Sequence, residues 1–183
     1  GVRHEGSIIA TGDIEISANG DVTLTGLRSD KNVTVSGNNI ALNKNSSGTG
    51  STEAQNNIIL HALSGMTVNN DVISRNGTIR IDASTLLQNT AAIIAQNSAT
   101  TAVPAIQINV AGQYTLSGKL KALDANGAVI SGGVVTLKNG DFVVIQNGQQ
   151  VPFSTLVSDA EIVSNSGNVN VTAGSMTNNE GDR

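Results

Sequence analysis

One seven-residue motif recurs three times in this chain: glycine, any residue, apolar, any residue, apolar, any residue, alanine. It occupies residues 12–18, 77–83 and 167–173. The second and third copies are also alike in the residues that flank the motif on both sides. Repetition of a short apolar motif predicts a stacked architecture, because each unit can bury its apolar face only against its neighbours.

The spacing of short apolar segments indicates the kind of stack. Residues 12–44 hold four segments with apolar residues at alternate positions, and tight-turn residues such as Asn19-Gly20 separate them. The four pairs are Ile14/Ile16, Val22/Leu24, Val33/Val35 and Ile40/Leu42. Ile14 and Val33 are 19 residues apart, and Ile58 and Ile79 are 21 apart. A return distance near 20 predicts coils of a parallel β-helix. A β-sandwich is the alternative, but it calls for longer strands and more aromatic residues.

The composition fits a solenoid with an aliphatic core. Aromatic residues make up 2% of the chain, charged residues 13%, and cysteine is absent. The low charge and the two prolines argue against disorder. A net charge of −4 argues against a nucleic-acid partner, which requires a clustered basic face. The chain begins Gly1-Val2-Arg3, with neither a methionine nor a signal peptide, and we interpret it as a segment of a longer polypeptide.

Two stretches of the first 103 residues have weaker patterns. Residues 45–56 are polar without periodicity, which predicts a loop between coils. Residues 83–102 are rich in alanine and could form a helix, because their apolar pairs lie seven residues apart. Their alignment with residues 173–179 and the turn residues Asn89 and Asn97 favour another coil. We therefore predict that residues 1–103 form β-helix coils.

Residues 104–157 differ from the rest. Pro104 and Pro152 bracket them, and they contain all three aromatic residues of the chain. They also hold three Asn-Gly dipeptides, at 126–127, 139–140 and 147–148, which are strong hairpin signals. The clearest predicted hairpin is Lys138-Asn139-Gly140-Asp141. The predicted fold is therefore an all-β, parallel β-helix with an extra-helical β-hairpin insertion at 104–157 and resumed coils at 158–183. The aromatic residues of the insertion are expected to form a small core of its own and are the candidates for contact with a partner, and a purely structural insertion is the alternative. They are Tyr114, Phe142 and Phe153.

Residues that could carry chemistry are scattered. Asp13 and Asp82 lie in repeat motifs and could project from neighbouring coils, but two isolated carboxylates are more typical of a solvated face than of a glycosidase pair. His4 and His61 stand apart, and no His or Cys spacing indicates a metal site. We predict no catalytic, cofactor-binding or metal-binding residues, and hence no enzyme. Stacked coils bring equivalent side chains about 4.8 Å apart, which suits ladders of asparagine amides. The candidates are Asn56, Asn57, Asn69, Asn70, Asn76, Asn178 and Asn179.

A family resemblance rests on residues 12–26, Gly-Asp-Ile-Glu-Ile-Ser-Ala-Asn-Gly-Asp-Val-Thr-Leu-Thr-Gly, and on residues 167–181. Both resemble the repeats of filamentous haemagglutinin and of similar two-partner-secretion exoproteins, including CdiA-type contact-dependent inhibition proteins. The resemblance covers residues 1–103 and 158–183. It implies a right-handed parallel β-helix that is secreted across the bacterial outer membrane and displayed on the cell surface. The family's Asn-Pro-Asn secretion signature and Val-Glu-Asn-Asn boundary are missing, which places the resemblance in the repeat-bearing shaft.

The leading hypothesis is a structural and adhesive shaft segment of a large exoprotein, serving adhesion or contact-dependent inhibition. Its expected partners are the neighbouring coils of the parent chain, an outer-membrane transporter during export, and a receptor on a host or target cell. A different class remains open, namely a carbohydrate-active β-helix such as a polysaccharide lyase, a hydrolase or a phage tailspike. An autotransporter passenger is a third possibility.

Overall fold

A computed structural model describes residues 1–96, 104–123, 135–151, 161–164 and 169–176, and from residue 151 onward only the backbone is described. These residues form strands and turns without a helix, arranged as a 13-stranded and a 7-stranded sheet. Accordingly, no helix in the described ranges has the length and apolarity of a membrane span. The strands return in parallel register from coil to coil, and the predicted parallel β-helix is confirmed.

Each coil contributes one strand, or part of one, to each of three faces. The first face consists of β3 (Ile14–Ser17), β6 (Val33–Gly37), β9 (Ile58–Ala62), β12 (Ile79–Ala83), the first half of β15 (Ile106–Leu116), the first half of β17 (Val135–Gln146) and β20 (Val169–Met176). The second face consists of β1 (Val2–His4), β4 (Val22–Leu24), β7 (Ile40–Leu42), β10 (Gly65–Val68), β13 (Thr85–Gln88) and the second halves of β15 and β17.

The third face forms the separate 7-stranded sheet. Its members are β2 (Ile8–Ala10), β5 (Leu27–Ser29), β8 (Ser51–Ala54), β11 (Asp71–Ser74), β14 (Ala92–Ala95), β16 (Lys119–Ala122) and β19 (Glu161–Ser164). The pairing of β13 and β14 with their neighbours confirms that residues 85–95 belong to a coil rather than a helix. The predicted loop at 45–56 is shorter than expected, because its residues 51–54 form β8.

The repeated motifs stack on one another in the first face. The first apolar position of the motif forms a column of paired residues through seven strands: Ile14, Val33, Ile58, Ile79, Ile106, Val135 and Val169. The second apolar position forms a parallel column: Ile16, Val35, Leu60, Ile81, Ile108, Leu137 and Val171. The side chains from Val33 to Leu137 in both columns are buried, so repeat equivalence does produce one continuous core. Ile16 lies in an end coil and is only partly buried.

The predicted insertion at 104–157 is wrong for the part of it that the structure describes. β15 pairs in parallel with β12 and β13, β16 pairs in parallel with β14, and β17 pairs in parallel with β15. These strands are therefore members of the coil stack. In the same way, β19 and β20 continue it by parallel pairing with β16 and β17.

The predicted hairpin at Lys138–Asp141 is also wrong, because β17 runs through it without reversing. Asn139-Gly140 lies at the corner between the first and second faces, where Asn19-Gly20 lies in an earlier coil. A Cβ at Gly140 would come within 2.5 Å of the Ala111 carbonyl oxygen, so the close approach of adjacent coils requires glycine here.

The Asn147-Gly148 hairpin is confirmed. β17 turns through these two residues into β18 (Gln149–Val151), which pairs with it antiparallel. Both turn residues have positive φ, 53° and 73°, as a tight hairpin turn requires. The dipeptide Asn126-Gly127 lies outside the described residues.

Candidate functional site

Polar side chains at the corners bind each coil to the next. Asp13 Oδ1 accepts hydrogen bonds from the backbone N–H and the side-chain amide of Asn32, both at 3.1 Å. Asn32 Oδ1 accepts from the backbone N–H of Asn57 at 3.0 Å, and Asn57 Oδ1 accepts from that of Thr78 at 3.0 Å. Asp13, one of the two candidate carboxylates, is thus the first member of a structural ladder of the kind predicted for asparagine.

A second ladder follows the next corner. Asp21 Oδ1 accepts from the side-chain amide of Asn39 at 3.0 Å and from its backbone N–H at 3.1 Å, and Asn39 Oδ1 accepts from the backbone N–H of Gly65 at 2.8 Å. These hydrogen bonds from Asn39, together with one from Asn38, lower the pKa of Asp21. Donors aimed at a carboxylate stabilise its charged form, so this aspartate serves the corner as an acceptor.

A third ladder includes Asn69, another of the asparagines that the sequence predicts to stack. The side-chain amide of Asn69 donates to Asn43 Oδ1 at 3.0 Å, as expected for stacked asparagines. Its neighbour Asn70 is fully buried instead, where it accepts from the Thr52 hydroxyl at 3.0 Å and donates to the Asn43 carbonyl at 2.8 Å. Asn178 and Asn179 lie outside the described residues.

The second candidate carboxylate, Asp82, lies in an open groove of about 590 Å³ on the outer surface of the first face. Outward positions of four successive strands supply its polar wall, because the strands pair His61 with Asp82, Asp82 with Asn109 and Asn109 with Lys138. Arg80 lies two residues before Asp82 and therefore projects on the same side of β12. We call this surface the Asp82 groove.

Small and apolar residues form the rest of the Asp82 groove. They are Ala62, Leu63, Ala83, Ser84, Val110 and Ala111. All of them lie at or near the corner between the first and second faces, where short side chains leave space beside the longer polar ones. Leu63 is 68% exposed and adds apolar surface at the corner.

Asp82 is the centre of the polar contacts in this groove. Its Oδ2 accepts from Arg80 Nε at 2.9 Å, its Oδ1 accepts from the Asn109 side-chain amide at 3.0 Å, and His61 Nδ1 lies 4.0 Å from Oδ2. Burial alone would raise the pKa of Asp82. The hydrogen bonds from Arg80 and Asn109, with the charges of Arg80 and His61, outweigh it and lower that pKa.

An ionised aspartate held in this way is an acceptor and an anchor, not a proton donor. Glycoside hydrolysis requires two carboxyl groups that flank the bond to be cleaved. Asp82 is the one carboxylate among the described residues that line its groove. In the described part of the chain, no three His, Asp or Glu side chains converge as metal ligands. The arrangement suits binding better than acid–base chemistry.

Two of the three aromatic residues predicted as partner contacts are buried rather than exposed. Tyr114 and Phe142 are buried, and their rings stack with centroids 5.4 Å apart. They occupy an inward column of the second face, between Leu86 and Met176 in the register. This prediction is therefore wrong for Tyr114 and Phe142, while Phe153 lies outside the described residues.

The Tyr114 hydroxyl is satisfied inside the core. It donates to Gln88 Oε1 at 2.7 Å, and Gln88 Nε2 donates in turn to the carbonyls of Ala91 at 2.8 Å and Lys119 at 3.2 Å. Gln88 and Tyr114 are both 0% exposed, and burial raises the pKa of the Tyr114 phenol. The hydroxyl therefore stays protonated and serves as a donor that fixes two coils together.

Most of the Asp82 groove goes beyond what the sequence predicts. Asp82 and His61 are each singled out in the sequence, but Arg80, Asn109 and Lys138 are not. A signal for one pair is present in the sequence, because the return distance that links Ile58 with Ile79 also separates His61 from Asp82 along the chain. Residues one coil apart on outward positions are neighbours on the surface.

The fold and this groove define a class: a parallel β-helix whose outer face carries a small polar site. Within that class, the chain is similar to the filamentous hemagglutinin of Bordetella pertussis (strain Tohama I / ATCC BAA-589 / NCTC 13251), with 28% identity over 138 residues. The match covers 70% of this chain and 4% of that protein, so the chain spans only a small fraction of its length. No family model and no solved structure matches the chain.

Proposed function

We propose that this chain is a shaft segment of a large, secreted, adhesin-like protein of the bacterial surface, without enzymatic activity of its own. The observation that carries the proposal is the parallel stack, in which one column of paired residues passes through seven strands. Similarity to a protein named filamentous hemagglutinin supports the same role.

The physical properties of the stack suit a spacer. Neighbouring strands lie about 4.8 Å apart, so length grows by that amount with each coil while the cross-section stays the same. Each coil is held to its neighbours by backbone ladders, and the Asp13 and Asp21 ladders of side chains also join the first coils. Such a rod holds a terminal binding or effector region at a fixed distance from the cell.

The finer parts of the proposal concern export and partners. We propose export by a two-partner-secretion route through an outer-membrane transporter, contacts with neighbouring coils of the parent chain, and a receptor on a host or target cell. Whether the parent chain serves adhesion or contact-dependent growth inhibition depends on the region that the shaft presents.

The experiment locates the native protein on the cells that make it. An antibody against residues 1–183 should label intact cells as strongly as permeabilised ones, and deletion of the adjacent transporter gene should abolish the surface signal while retaining the intracellular one. Antibody fragments against this segment should leave attachment of the bacteria to host or target cells unchanged unless they are directed at the outer surface of the first face. Labelling restricted to permeabilised cells would refute surface display.

A carbohydrate-active β-helix remains the second candidate, because the Asp82 groove has the size of a sugar site and combines cationic groups with a carboxylate. The purified chain should be incubated with pectin, alginate and lipopolysaccharide, and newly formed reducing ends or unsaturated products should be measured. Activity that Asp82→Asn abolishes and that Asp13→Asn retains would favour the enzyme over the shaft, because only Asp82 lies in the groove.

A further inference from the structure

We infer that the Asp82 groove is a binding site for a single carboxylate-bearing sugar residue, such as a uronic acid. The inference deepens the proposed adhesive role by naming a ligand class, and it rests on that role only for its biological use. It starts from the groups that remain available in the groove after the internal hydrogen bonds are counted.

Three side chains of the groove keep a donor that contacts no other described residue. Lys138 is exposed, and its ammonium group makes no ion pair or hydrogen bond within the described part of the chain. Arg80 uses Nε and one terminal nitrogen on Asp82, which leaves its other terminal nitrogen for a ligand. His61 turns Nδ1 toward Asp82, which leaves Nε2 on the other side of the ring.

The groove also offers an acceptor and an apolar surface. Asn109 donates its amide to Asp82, so its Oδ1 is available to a ligand hydroxyl. Leu63, which is 68% exposed, and the exposed Ala111 line the groove beside these polar groups. A sugar ring has hydroxyl groups at its edge and C–H groups on its face, and this combination of one acceptor, several donors and exposed apolar side chains matches both.

The charge balance selects a single carboxylate. The Asp82 charge offsets that of Arg80, with which it is in direct contact, so Lys138 supplies the one uncompensated positive charge among the groups that are charged at neutral pH. A polyanionic chain would be repelled by Asp82 and by the protein as a whole, whose net charge is −4. The terminal nitrogen of Arg80 that does not contact Asp82 can donate one charge-assisted hydrogen bond to the ligand carboxylate.

The test uses the purified 183-residue chain and follows backbone and side-chain amide signals by nuclear magnetic resonance. The probe is methyl α-galacturonate. The matched probes are methyl α-galactoside, which lacks the charge, galactose 6-sulfate, which changes the anion, and N-acetylglutamate, which carries carboxylates without a sugar. We expect saturable shifts that are confined to residues around 61–63, 80–84, 109–111 and 138, and at least about tenfold weaker binding of the three matched probes.

The variants separate this site from a general surface effect. Lys138→Gln should weaken galacturonate binding by about tenfold or more, since it removes a charge-assisted hydrogen bond. Lys31→Gln is the control, because Lys31 is also exposed but does not line the groove. Both substitutions change an exposed side chain, and unchanged thermal unfolding would show that both proteins are folded.

Several results would overturn the inference. They are an absence of saturable shifts, equal binding of the galactoside or the sulfate, stronger binding of N-acetylglutamate than of the sugar, or equal effects of Lys138→Gln and Lys31→Gln. Each leaves the shaft proposal untouched, because that proposal is tested by surface display on cells. Conversely, a chain found only inside cells would refute the shaft proposal, and it would leave a positive result for galacturonate binding unaffected.

Discussion

The buried hydrogen bond between Tyr114 and Gln88 should contribute more to the free energy of unfolding than hydrogen bonds on the surface do. Tyr114→Phe keeps the ring that stacks on Phe142 but removes the hydroxyl, which leaves Gln88 Oε1 unpaired at a site with 0% exposure. An unpaired buried acceptor costs about 1–3 kcal/mol. In a chain of this size, each kcal/mol lowers the melting temperature by about 2–4 °C, so we expect a loss of about 2–12 °C.

A second substitution tests the cause. In the register, Gln88 pairs with Val68 and Leu116, so leucine at position 88 continues an aliphatic column. In the double variant Gln88→Leu/Tyr114→Phe, both polar partners are gone, and the Ala91 carbonyl still accepts from the Lys119 N–H at 3.0 Å. The double variant should therefore lose less free energy of unfolding than the sum of the single variants, by about 0.5–3 kcal/mol.

Thermal and urea unfolding, followed by far-ultraviolet circular dichroism, would measure these differences. Thr67→Val is the control, because it removes a hydroxyl from an outward position of the same face. It should change the free energy of unfolding by no more than about 0.5 kcal/mol. If the two single losses add up in the double variant, or if Thr67→Val costs as much as Tyr114→Phe, the reasoning from the buried acceptor fails.

Three further predictions follow from burial and charge. Ile81→Asp places an unpaired carboxylate in the core column and should lower the melting temperature severely. Gln107→Asp, at an outward position of the next coil, should leave the melting temperature nearly unchanged in the same scan. Asn139 is buried, and neither of its amide atoms is hydrogen-bonded to another described residue. Asn139→Val, which matches the paired Val110, should therefore raise the free energy of unfolding in urea by about 1–2 kcal/mol, and a lower free energy of unfolding would contradict this expectation. The folded-state pKa of Asp82 lies below its ordinary value of 3.8. Its contribution to stability should therefore be complete above pH 3.8 and lost as the pH falls through the folded-state pKa. Asp82→Asn should reduce this acid dependence in melting scans from pH 6 to 2.

The regular part of the fold could be predicted because two local rules act together. Alternation of apolar residues marks which side of a strand is buried, and a regular return distance along the chain stacks equivalent positions. Ile14, Val33, Ile58 and Ile79 satisfy both rules, and they are paired as expected. The interval from Val33 to Ile58 is longer than the intervals before and after it, because the loop before β8 adds length without changing the register.

The error at Asn139-Gly140 has a physical reason. A hairpin and a coil corner both need a tight bend, and asparagine followed by glycine suits either. The choice between them is made by what lies alongside: Lys138 pairs with Asn109 and Phe142 pairs with Tyr114, which holds both arms of β17 on the preceding coil. Asn147-Gly148 lacks that constraint in its second arm, where β18 returns antiparallel to β17.

The aromatic residues are predicted as candidate partner contacts because they are assigned to an insertion, but the spacing of two of them along the chain indicates a place in the core. Leu86, Tyr114 and Phe142 follow one another at equal intervals along the chain and are paired in the register. Equal spacing of large apolar residues is the mark of one core column, even where the coil is longer than the coils before it. The longer period is hard to recognise because none of the earlier coils shares it.

The Asp82 groove could not be predicted as a whole, because its residues are separated by unequal coils. The steps along the chain from His61 to Asp82, from Asp82 to Asn109 and from Asn109 to Lys138 all differ in length, so no fixed period links them. The contacts of Asp82 also depend on rotamers of Arg80 and Asn109 that sequence does not specify. What sequence does specify is the side of the strand on which each of them projects.

A solenoid of this kind separates its fold from its surface chemistry, and the Asp82 groove shows how. Ile81 and Asp82 are adjacent in β12, yet one belongs to the buried core column and the other to the outer face. Substitutions at the outward positions change the surface one coil at a time, while the inward column and the corner ladders hold the register. A binding site can therefore arise where small residues at a corner leave room beside long polar ones. Its ligand specificity should change on substitution of Arg80, Asn109 or Lys138 with little change in the unfolding temperature.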